Sequence, residues 1–149
     1  RQEAFTKNRE RLWKNMESKV RIAEDKFNHM YNCCQSVICC YCEEFGLEEK
    51  DVFRMTEGFG LGMGGLKDTC GAVVGMFMTI GLANSAGNLS DPYMTKSDTY
   101  TKIMEAARLF EEKKGSLMCR DLLTDKGTQP LPCCRECVKT AVEVLETII

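Results

Sequence analysis

The stretch EGFGLGMGGLKDTCGAVVGMFMTIGL, Glu57 to Leu82, sets the reading of this chain. Its first half carries Gly58, Gly60, Gly62, Gly64 and Gly65, a run too glycine-rich for a regular helix or a packed strand. Glycine serves where the backbone must take positive φ or pass close to another group. Asp68-Thr69 then offers a helix cap, and an apolar segment follows from Cys70. Cys70 is thereby expected in the first turn of a helix, where free N–H groups and the helix dipole favour a thiolate. The same pattern also suits a tight connection with a small core cysteine, and at this point both uses stand. No Gly-Lys-Ser/Thr closes the run, which excludes a P-loop. No strand precedes GFGLGMGG, as a dinucleotide fingerprint requires.

Outward to the N-terminus, residues 2 to about 31 contain no Gly or Pro and read as one helix. Trp13, Met16, Val20, Ala23, Phe27 and Met30 recur at spacings of three and four, a stripe suited to a core or to a homodimer seam. Asn32 and Gln35 resemble a capping box that restarts a helix with Cys33 in its first turn, and Gly46 is its natural stop. Cys34, Val37, Ile38, Tyr41 and Phe45 form its expected buried face, with Cys33 and Cys40 on a neighbouring stripe. Cys39 and Cys42 are spaced i, i+3, a spacing that can clip a metal but in mid-helix is more often inert. Glu48 to about Thr56 gives a short helix.

Toward the C-terminus, Gly71, Ala72, Gly75 and Gly81 are small enough to let a second helix approach the segment from Cys70. Asn84 to Met94 is a polar loop with an Asp91-Pro92 turn. Thr95 to Lys114 reads as an amphipathic helix through Tyr100, Ile103, Met104, Ala107 and Phe110, closed by Gly115. Ser116 caps a brief turn containing Cys119. Thr124 to Pro132 is a loop in which Pro130 and Pro132 stop regular structure. A last helix runs from about Cys133 to Ile149, with Val138, Ala141, Val142, Leu145 and Ile148 inward. Cys134 falls in its first turn, and Cys137 completes a Cys-x-x-Cys.

The pattern predicts an all-α protein: a single helical domain over 1–149, built as a bundle of about five to seven helices with a glycine-rich loop before a central helix. Residues 1–31 form the long first helix and about 20–149 the cysteine-bearing domain. A formal net charge of −2 gives no footing for nucleic acid. The longest apolar run, Cys70 to Asn84, is too short to span a bilayer, so no membrane insertion is expected. No N-terminal signal pattern is present, although the chain starts at Arg1 without Met.

Ten cysteines are the unusual feature. They cluster as Cys33-Cys34, Cys39-Cys40, Cys42 and Cys133-Cys134, Cys137, in a helical, Met-rich chain of ordinary size. That usage suits a reduced, cytoplasmic setting better than a secreted disulfide framework. The single His29 leaves little room for histidine-rich metal sites or a Cys–His nucleophile. Four segments each place a cysteine at an expected helix N-terminus: Cys33, Cys70, Cys119 and Cys134. Helix N-termini stabilise thiolates and anionic clusters, so the recurrence points to one shared use.

The chain resembles the redox-active family named for its C_GCAxxG_C_C cysteine pattern, usually written with a CGAxxG motif. The resemblance rests on AEDKFNHMYNCCQSV (Ala23–Val37), GFGLGMGGLKDTCGAVVG (Gly58–Gly75), GSLMCRDLL (Gly115–Leu123) and CRECVKTAVEVL (Cys134–Leu145). It covers roughly residues 20 to 149 and puts the family's four cysteines on Cys33, Cys70, Cys119 and Cys134. It implies electron handling with no established substrate; a similar module occurs in the split-Soret cytochromes. Cys34, Cys39, Cys40, Cys42, Cys133 and Cys137 are additions to the pattern, and Cys133 or Cys137 could substitute for Cys134.

Three functions follow. The four cysteines could hold an iron–sulfur cluster for electron transfer to a redox partner protein. They could instead cycle without metal as a thiol–disulfide oxidoreductase, Cys70 working against Cys119 or Cys134. A structural zinc site ranks below both, because Cys70 and Cys119 lack the close Cys-x-x-Cys pairs of zinc knuckles.

Overall fold

The computed structural model describes residues 17–149. Seven right-handed helices carry the described chain: α1 (Val20–Asn28), α2 (Cys33–Ile38), α3 (Glu49–Thr56), α4 (Gly71–Asn84), α5 (Lys96–Lys114), α6 (Cys119–Leu122) and α7 (Pro132–Ile148). No strand forms among the described residues, and the fold is all-α as the periodicity predicts.

α4 is the centre of the bundle, packed against α2, α5 and α7. It is apolar all round, as a helix with neighbours on every side must be. Its Ala72, Val73, Met76 and Ile80 meet Val138, Ala141, Val142 and Leu145 of α7, Phe110 of α5, and Val37 of α2 in one core. Gly75 sets how close α2 comes: a Cβ there would lie 2.8 Å from the Cys34 carbonyl oxygen. Ala23 and Phe27 of α1 close the core beside α7. A second, smaller cluster joins Ile38, Cys39, Cys42 and Val52, flanked by Tyr31 and Phe53.

Several local expectations need correction. The first helix does not run unbroken from residue 2 to 31: Glu17 to Lys19 are not helical, and α1 ends at Asn28. Trp13 and Met16 of the apolar stripe lie outside the described residues. Ala23 and Phe27 are buried, but Met30 turns out at φ 74° and is 63% exposed. The helix from Cys33 gives way to a 3-10 turn at Cys39–Tyr41 and then to turns before Gly46. On α5, Tyr100 and Met104 face solvent, and the buried side is Ala106 and Phe110 with Ile103 and Leu109 against it. Pro132 starts α7 rather than stopping structure, since the first helical position needs no N–H.

Candidate functional site

Three local devices aim cysteines at one place. At α2, Asn32 and Gln35 form the expected capping box: the Asn32 side chain accepts from the Gln35 N–H at 2.9 Å, and the Gln35 side chain accepts from the Asn32 N–H at 2.9 Å. Cys33 follows as the first helical residue. At α7, Pro132 opens the helix, and the Asp125 carboxylate accepts from the Cys133 N–H at 2.7 Å, which places Cys134 in the first turn.

The third device is the glycine stretch. Leu61 (φ 50°, ψ 45°), Gly62 (φ 62°, ψ 60°), Met63 and Gly64 form a left-handed turn, closed by the Gly64 N–H donating to the Gly60 carbonyl at 2.8 Å. A left-handed turn costs roughly 1–2 kcal/mol per residue with a side chain, so Leu61 and Met63 are held there against their preference. The turn returns the chain onto residues 67 and 68, whose N–H groups donate to Leu61 and Gly62.

Asp68 and Thr69 do not cap α4, contrary to the sequence reading. They pair with the segment before α6: Cys119 N–H donates to Asp68 O at 2.7 Å, Cys70 N–H to Leu117 O at 2.8 Å, and Thr69 bridges Met118 antiparallel. Cys70 itself is the N-cap residue of α4. That short pairing sets Cys70 and Cys119 side by side, each at a helix start. Arg120 fastens it further, donating to Lys67 O at 3.1 Å and lying 3.5 Å from the Asp68 carboxylate.

Glycine is required where these pieces meet. A Cβ on Gly62 would lie 2.5 Å from the Cβ of Cys119, and one on Gly71 would lie 2.6 Å from Phe59 O and 3.3 Å from the Cβ of Cys33. The result is one small cleft lined by Cys33, Cys70, Cys119, Cys133, Cys134 and Cys137, with no carboxylate, amine or imidazole in its wall. All four cysteines expected from the sequence are therefore together. Cys133 and Cys137, which the sequence offered only as substitutes for Cys134, join them. Cys39 and Cys42 sit in the second cluster, and Cys40 donates to Ser36 O at 3.0 Å, away from the cleft.

The sulfurs associate in pairs. Cys33 and Cys134 share a hydrogen bond, as do Cys70 and Cys137. Within the first pair, the Cys33 thiol holds the proton, and its hydrogen bond brings Cys134 down to about 7. Cys33 is pushed well up, first by that bond and then by burial. In the second pair, the bond from Cys137 lowers Cys70, helped by the N–H groups of Val73 and Ala72 at the start of α4. Cys137 is raised by the same bond and by burial. Burial raises Cys119, as do the neighbouring Cys70 and Cys134 sulfurs. Each pair thus eases the ionisation of one sulfur, Cys134 in the first and Cys70 in the second, at the expense of its partner. Among the described residues, no group of three or more His, Cys, Asp or Glu side chains is arranged around a single metal ion, and all ten cysteines are free thiols.

The family described as "Putative redox-active protein (C_GCAxxG_C_C)" matches residues 31–148. The chain belongs to the C_GCAxxG_C_C family. Within the matched residues, Gly71 and Gly75 make the junction of α4 with α2, and Cys33, Cys70, Cys119 and Cys134 line the cleft beside it. No curated protein and no solved structure matches the chain. No helix among the described residues is long and apolar enough to cross a membrane.

Proposed function

We propose that this C_GCAxxG_C_C protein transfers electrons through an iron–sulfur cluster held in the cysteine cleft. The observation that carries the reading is the convergence of six cysteines on one cleft free of other ligand types, five from the starts of α2, α4, α6 and α7 and Cys137 from the second turn of α7. Soft thiolates select iron–sulfur clusters, and a two-iron cluster takes its four thiolates as two pairs. Cys33 with Cys134 and Cys70 with Cys137 are such pairs, and Cys119 is a further sulfur next to Cys70. Donor chemistry and pairing fit the group. When bound, it would supply a one-electron couple; the protein's part is to hold the thiolates at helix starts, whose N–H groups offset their charge.

Anaerobic purification with an absorbance spectrum and iron and sulfide counts tests the proposal. Visible charge-transfer bands with iron and acid-labile sulfide in equal amounts are expected, and both should vanish in Cys70→Ser. A colourless, iron-free protein that cannot be reconstituted with iron and sulfide would overturn it.

One observation favours a second reading, a metal-free dithiol. Cys134 is a thiolate-forming sulfur hydrogen-bonded to the protonated Cys33. In exchange with a partner disulfide, the Cys134 thiolate attacks one sulfur and expels the other as thiolate. The Cys33 thiol passes its proton to that leaving group and attacks the Cys134 sulfur of the mixed disulfide, so the partner leaves as one thiol and one thiolate and Cys33–Cys134 is oxidised. Peptide mapping after mild oxidation of metal-free protein would then give Cys33–Cys134 as the first bridge.

A further inference from the structure

A larger cleft lies on the other side of Cys33 and Cys134. It encloses about 390 Å³, and both residues stand in its wall. Phe27, Met30, Tyr31, Leu61 and Pro130 are the large apolar residues of the lining. That volume, with ring and aliphatic walls, is the range for a compact organic ligand rather than an ion. Its mouth keeps two large apolar side chains in water, Met30 at 63% exposure and Leu61 at 42%. Leu61 is held in the left-handed turn, so the backbone cost described above serves to place this side chain in the wall shared by the two cavities.

Charge narrows the class of ligand. Glu57 is the one charged residue in the lining, and no Lys, Arg or His accompanies it. The Asn32 side chain, also in the wall, is spent on the helix cap and on the Thr56 and Glu57 carbonyls. Phosphate, sulfonate or carboxylate groups would find no counter-charge and one repelling carboxylate. An uncharged ring compound would find apolar area on several sides and the Cys33–Cys134 edge of the cysteine centre at its end.

We propose that this cleft is a binding site for a small, uncharged, apolar ring compound of the quinone class, seated between the Phe27–Met30–Tyr31 wall and the Leu61 turn. The choice of a redox-active ring rests on the electron-transfer reading of the adjacent centre; occupancy of the cleft does not.

Binding of duroquinone, the fully methylated benzoquinone, to the full chain tests this without transferring an electron. Methyl-labelled methionine NMR should show a saturable shift of the Met30 signal and none of Met76, which is buried in the core. Anthraquinone disulfonate, the same chemistry with two anionic groups, should leave Met30 unmoved. Met30→Glu, at an exposed position where folding is not at stake, should weaken duroquinone binding on the order of tenfold. Met104→Glu, equally exposed on α5, should not. Absence of a saturable Met30 shift, or equal binding of the disulfonate, would overturn the proposal. A colourless protein that still binds duroquinone would sink the electron-transfer reading and leave the cleft standing.

Discussion

At Cys134 two opposing effects act on one sulfur. Burial disfavours its thiolate, yet the proton offered by Cys33 outweighs burial and brings the group to about 7. At Cys34, Cys39 and Cys40 burial prevails, over the opposing Lys26 charge at the last two, and pushes each thiol up to about 12. In reduced, metal-free protein, iodoacetamide should therefore alkylate Cys134 with a midpoint near pH 7, while these three react only on unfolding. A Cys134 midpoint near the ordinary 9.0 would remove the hydrogen bond from the argument. Stability follows the same shifts with signs that can be worked out. For the three raised thiols, the native state keeps protons that the unfolded chain gives up, so their contribution is whole below about pH 9 and is lost as pH rises toward 12. For Cys134 the contribution is whole above about pH 9 and is lost as pH falls through 7. Above pH 9 the Cys134 contribution is already whole and no longer changes, while that of the raised thiols, Cys33, Cys119 and Cys137 among them, is being lost, so the thermal midpoint should fall from pH 9 upward. Residue by residue, Cys70 and Cys119 were placed at helix starts through expected caps, Asp68-Thr69 and Ser116, that the structure does not use. Cys33 and Cys134 were legible from the capping box and from the prolines that lead into α7. Cys137 was not, because its role depends on which way the face of α7 turns, and only packing against α4 decides that.

Glycines separate elements that fold locally from elements that are positioned by distant chain. Gly81 lies inside α4 with nothing within 4 Å of where a Cβ would stand. Gly81→Ala should stabilise the protein by about 0.5–1 kcal/mol, from helix propensity alone. Gly62→Ala meets the Cys119 Cβ at 2.5 Å and must also hold φ 62°. It should destabilise by about 1–3 kcal/mol and displace Cys119, with helical circular dichroism kept but the centre's redox signal lost. Paired melting curves would check both; a Gly62→Ala protein with an unaltered centre would show that the left-handed turn is only a connection. The capping box at Asn32 and the positive-φ glycines 46 and 115 could be read from sequence because each is settled within a few residues. Asp68-Thr69 could not. Its residue types say cap, but its backbone groups are taken by residues 117 to 119, some fifty positions on, and a cap needs them free.

For the molecule as a whole, the cysteine centre joins segments that nothing else in the sequence relates. Cys33 comes from the start of the cysteine-bearing region and Cys134 from near its end, so any bond through both sulfurs closes most of the described chain into a loop. Cross-linking a loop of about 100 residues removes unfolded-state entropy worth about 4.7 kcal/mol at most, less whatever strain the link imposes. A disulfide between them, or a cluster bridging them, draws on the same entropy, because either restrains the unfolded chain for as long as the link survives. The linked protein should therefore melt several degrees above its reduced, metal-free form, and addition of reductant or chelator should abolish the difference. Cys33→Ala should lose the whole gain, because it removes one end of the loop. Cys39→Ser should melt lower in both states, having placed a hydroxyl in the second apolar cluster, yet keep the gain between them. Equal melting of linked and unlinked protein would mean that the two sulfurs meet only after the core has already fixed both ends. The centre would then be a passenger on the α1, α2, α4 and α7 packing, and not one of the things that holds it together.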